Sequence, residues 1–274
     1  MTDYSPKRIV CLTEEPTETL YLLGEQDRIV GVSGFTVRPK RARKEKPTVS
    51  LFTSAKTDEI RALNPDLVIG FSDIQADIAR QLIAEGVTVW INNYRSVEGI
   101  FQFIVQLGAL VGKQQAAIQW VEQRKARLAA ITQTISSWPE KPTVYFEEWY
   151  DPLISSIQWV SELVELAGGQ HLFPERAQAS LAKDRILPDP QVVIDKNPDI
   201  IVASWCGKMF KPDKLKARPG WNTIRAVQHN ELHEIDSAII LQPGPAAVTE
   251  GIEQLHQIFT RWVANRAANR VANG

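Results

Sequence analysis

Cysteine is almost missing from this chain. Cys11 and Cys206 are the only two in 274 residues, which excludes the disulfide framework that staples small secreted domains. Cys11 lies in an apolar run and reads as a small core residue. Histidine is scarce too. His171, His229, His233 and His256 have no ligand-like spacing, so neither a structural nor a catalytic metal site is expected. Net charge is nearly absent, at −1, which gives no bulk attraction for nucleic acid. The one basic run, residues 38–46, contains Glu45 and reads as a solvated loop. No stretch reaches the roughly 20 apolar residues that span a bilayer. Residues 1–7 lack the basic, apolar and small-residue sections of a secretory signal, so a cytoplasmic location is expected. Enzyme signatures are missing as well. There is no G-x-S-x-G, no P-loop, no H-E-x-x-H and no G-x-G-x-x-G after a strand.

What the chain does have is a phrase written twice. The first copy is Asn64-Pro65-Asp66-Leu67-Val68-Ile69-Gly70-Phe71. The second is Asn197-Pro198-Asp199-Ile200-Ile201-Val202-Ala203-Ser204-Trp205. Asn-Pro ends whatever precedes it. The apolar run that follows does not alternate, so it reads as a strand buried on both faces. A helical stretch leads into each copy. A second parallel supports duplication: Ile9–Leu12 and Thr143–Phe146 read as strands, each with an acidic pair just beyond, Glu14/Glu15 and Glu147/Glu148. Two similar α/β lobes follow, each with a mostly parallel sheet flanked by helices. The first lobe takes residues 1–95. Residues 96–137 form a helical connector, in which Lys113–Ile135 is one long helix of about 35 Å. The second lobe takes residues 138–274. A composition of 44% hydrophobic and 23% charged residues suits a sizeable core.

In such sheets, ligands lie beyond the carboxyl ends of the strands. Those ends carry aromatics: Phe35, Phe71, Tyr94, Trp149, Tyr150 and Trp205. They suit a large planar or apolar ligand held by area and stacking, and equally suit core packing. The acidic pairs could perform acid–base chemistry or cap helices. Cys206 could be a nucleophile or inert. Lys183 and Arg185 are the basic candidates for an anionic ligand, with surface charge as the plainer role.

At this point the chain resembles the helical-backbone (class III) substrate-binding proteins of ABC importers, and the cobalamin-binding branch most. The resemblance runs from Arg8 to about Phe259. It rests on residues 8–13 with 18–24, on Ile29–Gly34, on both Asn-Pro-Asp strands, and on Val164–Gly169. It implies a monomeric, non-catalytic binder without a cofactor of its own. Its ligand, lying between lobes that one long helix lets hinge only a little, would be cobalamin or another corrinoid, with haem or a ferric siderophore as the alternative. An enzyme using Glu147, Glu148 or Cys206 is the remaining possibility. The implied ligand-binding residues are Glu15, Phe35, Arg38, Phe71, Tyr94, Glu148, Trp149, Trp205 and Gln242. An ABC permease is the implied partner, with Asp77 about where one docking carboxylate falls, and the family's location is periplasmic.

Overall fold

The computed structural model describes residues 4–273, with side chains described through residue 270. The chain forms two compact units. One takes the residues up to Tyr94 together with Glu98–Gln123, and the other takes Arg95–Val97 and everything from Arg124 onward. The helix Gln114–Ile135 carries the chain from the first into the second.

The first unit holds strands β1 (Ile9–Cys11), β2 (Ile29–Ser33), β3 (Thr48–Ser50), β4 (Leu67–Phe71) and β5 (Val89–Asn92). They form one parallel sheet in the order β3-β2-β1-β4-β5. Each crossover is helical or loop-rich, as parallel pairing requires. The strands are apolar without alternation because helices cover both faces. Val10, Leu12, Val49, Ile60, Val68, Ile78 and Leu82 form one buried cluster in this unit.

The second unit holds β6 (Thr143–Tyr150), β7 (Leu153–Ser155), β8 (Gln170–His171), β9 (Ile200–Ala203) and β10 (Leu232–Glu234). The main order is β10-β9-β6-β7, with β8 paired to the start of β6. All pairs are parallel except β6 with β7. Here Glu147 and Glu148 lie inside the strand, not beyond it as expected. The returning β7 pairs with the second half of β6 and extends it past Phe146.

The repeated phrase does the same work twice. Asn64 and Asn197 both take the left-handed conformation, φ 46° and 45°, which asparagine tolerates at a helix end. Each following aspartate then binds the first strand of its own sheet. Asp66 accepts from the backbone N–H groups of Lys7 and Arg8 at 2.6 and 3.0 Å. Asp199 accepts from the backbone N–H and hydroxyl of Thr143 at 2.9 and 2.7 Å. An arginine closes each turn: Arg8 donates to the carbonyls of Leu63 and Asn64, and Arg225 to that of Asn197. Asp66 is exposed, while Asp199 is buried and also meets Arg225 at 3.1 Å. Asp199→Ala is therefore expected to cost about 2 kcal/mol in urea unfolding and Asp66→Ala about 1 kcal/mol, since charge-assisted bonds matter most where water cannot replace them. Equal costs would show that burial does not set the difference.

Thr13 stands at the N-cap of the helix Glu14–Leu22, yet its hydroxyl donates to Glu15 instead of capping. After β4 the segment 73–85 opens as a tight turn, Asp73–Gln75, before the helix Ala76–Ala84. Of its four apolar residues, Ile78 and Leu82 are buried, whereas Ile74 and Ile83 are exposed. After Lys208 the chain forms a short helix, Pro212–Lys216, opened by its proline.

Candidate functional site

In the first unit, large apolar side chains stand in water at consecutive strand ends. Phe35 follows β2 at 55% exposure, Leu51 follows β3 at 50%, and Ile74 follows β4. Val37, close after Phe35, is exposed as well. They share one location, the carboxyl ends of a parallel sheet, where ligands lie in sheets of this kind. Phe71 differs. It is buried and packs edge-on against Tyr94 at 5.3 Å, and Tyr94 stacks on Phe103 at 5.4 Å. The strand-end aromatics here thus divide into one open ring and a packed support.

Two more of the expected residues lie at this end. Glu15 is buried. Its Oε1 accepts from Thr13 at 2.5 Å, and its Oε2 has no partner among the described residues. Burial pushes its carboxyl up to about 7, with the Thr13 hydroxyl opposing. Arg38 donates from Nε to Glu18 at 3.0 Å. Its neighbour Glu14 accepts the Val37 N–H at 2.6 Å, which ties the Phe35 loop to the helix start.

In the second unit, alternation along β6 sends the two glutamates to opposite faces. Glu147, fully buried, receives Arg218 through two bonds of 2.6 and 2.8 Å and the indole N–H of Trp205 at 2.9 Å. Glu148 receives Arg185 through bonds of 2.8 and 2.7 Å. Burial raises the Glu148 carboxyl, and Arg185 pulls it back. Arg185 is 2% exposed and also donates to the carbonyls of Ser155, Ala179 and Ser180. Arg185 is therefore no surface charge, and Glu148 offers a ligand a carboxylate already engaged by a guanidinium. Lys183, two residues earlier, is exposed.

The aromatic residues of this unit form a ladder. Trp149 and Tyr150 lie 4.9 Å apart, Tyr150 and Trp205 4.5 Å, Trp205 and Phe210 5.2 Å. The ladder runs from half-buried to buried. Trp149 and Tyr150 are half-buried, while Trp205 and Phe210 belong to the core cluster with Tyr145 and Trp221. Trp205 supports the ladder from beneath; the open rungs are Trp149 and Tyr150. Gln242 is half-buried in the segment before the C-terminal helix, and no described bond joins its side chain to the ladder.

Two lysines cap the open rungs. Lys208 Nζ lies 4.8 Å from the Trp149 ring centre and donates to the Tyr150 hydroxyl at 3.2 Å. Lys214 Nζ lies 3.6 Å from the Tyr150 ring centre. The Lys208 hydrogen bond is the main cause holding the Tyr150 phenol below the ordinary tyrosine range. Neither lysine is among the sequence-based candidates, because nothing in the sequence ties residues 208–214 to β6. Cys206, next to Trp205, is exposed.

A family model described as periplasmic binding protein matches residues 9–239. The chain is 28% identical over 260 residues to an ABC transporter substrate-binding lipoprotein of Bacillus subtilis, covering 91% of this chain and 79% of that one. It is 26% identical over 263 residues to a vitamin B12-binding protein of Vibrio campbellii, covering 92% and 90%. Among solved structures, a periplasmic heme-binding protein of Pseudomonas aeruginosa superposes with a TM-score of 0.78 at 21% identity, covering 93% and 92%.

Proposed function

The chain belongs to the periplasmic binding protein family, and on that premise we propose that it binds a large metal-bearing metabolite without transforming it, a corrinoid such as cobalamin being the first candidate. The observation that carries this reading is the pair of strand-end surfaces. Each unit sets large apolar or aromatic side chains at the carboxyl ends of its sheet, Phe35 and Leu51 exposed in one and Trp149 and Tyr150 half-buried in the other. Broad flat surfaces of this kind suit a macrocycle. Phe71, Tyr94 and Trp205 brace them from beneath, and Glu15, Arg38, Glu148 and Gln242 belong to their surroundings. The name of the Vibrio campbellii relative favours the corrinoid. Haem or a ferric chelate is the second reading, and the two lysines over Trp149 and Tyr150 favour it. Glu147 and Glu148 each hold an arginine, which leaves neither free for acid–base chemistry.

Delivery to an ABC permease fits the lipoprotein relative. Asp77, exposed and 3.7 Å from Arg80, is the docking carboxylate in this reading. The names of the family and of that relative favour a setting outside the cytoplasm over the cytoplasmic one expected above.

Gel filtration with cyanocobalamin, and separately with haemin, tests the proposal. Visible absorbance is expected to co-elute with the protein for at least one of them. Trp149→Ala is expected to weaken that binding about tenfold, or ~1.4 kcal/mol, by removing an open ring. Free elution of both compounds would defeat the proposal.

A further inference from the structure

We propose that Glu15 is a proton-linked contact for the ligand. Its carboxyl, carrying a proton, gives a hydrogen bond to an amide carbonyl at the ligand's edge, directly or through one water, so that binding takes up a proton. This rests on the reading of the first unit's strand ends as a binding face, and adds the neutral acceptor group that the face receives. Each strand of that sheet ends on, or runs into, a buried polar residue: Thr13 after β1, Ser33 in β2, Ser50 in β3, Ser72 after β4 and Asn92 in β5. They form a polar row at the same strand ends that carry the exposed Phe35, Leu51 and Ile74. The row is satisfied from within. Ser33 accepts the Phe35 N–H at 3.3 Å, and Ser50 donates to the Leu12 carbonyl at 3.3 Å. Ser72 accepts the Ile74 N–H at 3.4 Å, Asn92 donates to the Gly70 carbonyl at 3.5 Å, and Thr13 donates to Glu15 at 2.5 Å.

Two buried atoms next to this row have no partner among the described residues, Glu15 Oε2 and Thr36 Oγ1. Glu15 is 1% exposed in the first turn of the helix after β1, and Thr36, equally buried, follows Phe35. Unpaired buried polar atoms are costly, so two of them at one end of a sheet point to a partner from outside the chain. The state of the carboxyl decides which partner fits. Arg38 is engaged by Glu18 at 3.0 Å, and an ionised Glu15 would be a buried charge without a counter-ion. Burial raises the carboxyl to about 7, the Thr13 hydroxyl and a backbone N–H oppose the rise, and the Glu18 charge adds to it. In the neutral form, Oε1 accepts from Thr13 and Oε2 carries a proton that nothing in the chain receives. A carbonyl oxygen completes that group, whereas an ionised Oε2 would repel it.

The titratable groups that face Glu15 are Glu18 along its helix, Cys11 on β1 and Tyr94 after β5. Burial pushes the Cys11 thiol up to about 12, with Lys46 pulling slightly the other way. Burial also holds the Tyr94 phenol well above the ordinary tyrosine range. Both therefore keep their protons at neutral pH. Glu18 holds Arg38, and Glu14 accepts the Val37 N–H at 2.6 Å. As pH rises through about 7, Glu15 loses the proton that it would share with the ligand, so affinity falls on the alkaline side.

The probe is cyanocobalamin, whose corrin ring is edged with amides. Titration calorimetry on the intact chain measures its affinity at pH 6 and pH 8.5, and its proton uptake at pH 7 from two buffers of different ionisation heat. Affinity is expected to fall about tenfold between the two pH values, with uptake of about half a proton per ligand at pH 7. Glu15→Gln keeps the size of the side chain and supplies a permanent N–H donor. This variant is expected to bind equally at both pH values and to take up no proton. Its urea midpoint at pH 8.5 should match or exceed the parent's, because no charge is left to bury, and this guards against misfolding. Equal parent affinity at both pH values without proton uptake would overturn the inference and leave the binding function standing. A pH dependence that survives in Glu15→Gln would overturn it in the same way. Failure of cyanocobalamin to bind at either pH would instead remove the corrinoid reading, and the inference with it.

Discussion

Arg218→Met is expected to lower the unfolding free energy by about 3–5 kcal/mol, because it strands a fully buried carboxylate. Glu147 is 0% exposed and takes both of its strong charge-assisted bonds from Arg218. The Trp205 indole N–H alone does not replace the charge of the guanidinium once it is gone. Methionine keeps much of the length and apolar stem of arginine, so the loss reports charge and hydrogen bonding more than volume. The partner experiment is Glu147→Gln in the same chain. A neutral amide still accepts from Trp205 and no longer needs a counter-ion, so the double variant is expected to recover about half of the loss. Urea unfolding followed by fluorescence measures both. A single variant within 1 kcal/mol of the parent would show that water reaches Glu147 and that the pair is not structural. The proposed binding face is expected to feel the loss as well. Trp205 stands beneath Tyr150 at 4.5 Å, and Glu147 holds the indole in place. Loosening that anchor should weaken ligand binding in the same variant.

The duplicated Asn-Pro-Asp strands were legible because their signals are local. A turn-forming dipeptide, an unalternating apolar run and a preceding helix lie within a dozen residues of one another. The aspartate's task was not legible, because its partners lie 56 to 59 residues away, on the neighbouring strand. The acidic pairs illustrate the same limit. Glu147 and Glu148 look alike in sequence, yet strand alternation sends them to different arginines, at positions 218 and 185, that no spacing rule connects. Treating Arg185 as surface charge failed for this reason: a long-range carboxylate and three carbonyls keep it inside. The aromatics were found by position, but position could not tell the open rings from the packed ones. Phe35 and Trp149 offer surface, whereas Phe71 and Trp205 are closed by neighbours distant in sequence.

The point where the two copies of the phrase diverge carries the second large effect. Gln75→Leu is expected to cost about 3 kcal/mol, although the side chain it removes is neutral. Gln75 is 0% exposed and folds back over the end of β4. Its Oε1 accepts the Phe71 N–H at 3.0 Å, and its Nε2 donates to the carbonyl of Phe52 at 3.0 Å and to that of Leu12 at 3.5 Å. Leucine fills similar space and leaves those backbone groups unpaired in a dry site, each at a cost of about 1–3 kcal/mol where nothing replaces the bond. The glutamine also explains Gly70. A Cβ there would come within 2.5 Å of Gln75 Oε1 and 2.8 Å of Ile91 Cδ1. The second copy has Ala203 at the matching place and no glutamine above it. Gly70→Ala is accordingly expected to repeat part of the Gln75→Leu loss. In the double variant the two losses should not add, because both act on one contact. Additive losses in urea unfolding would mean that the glycine and the glutamine serve separate ends. Because Gln75 fixes the backbone of Phe71, on which Tyr94 packs, the binding face proposed for the first unit should loosen together with its stability.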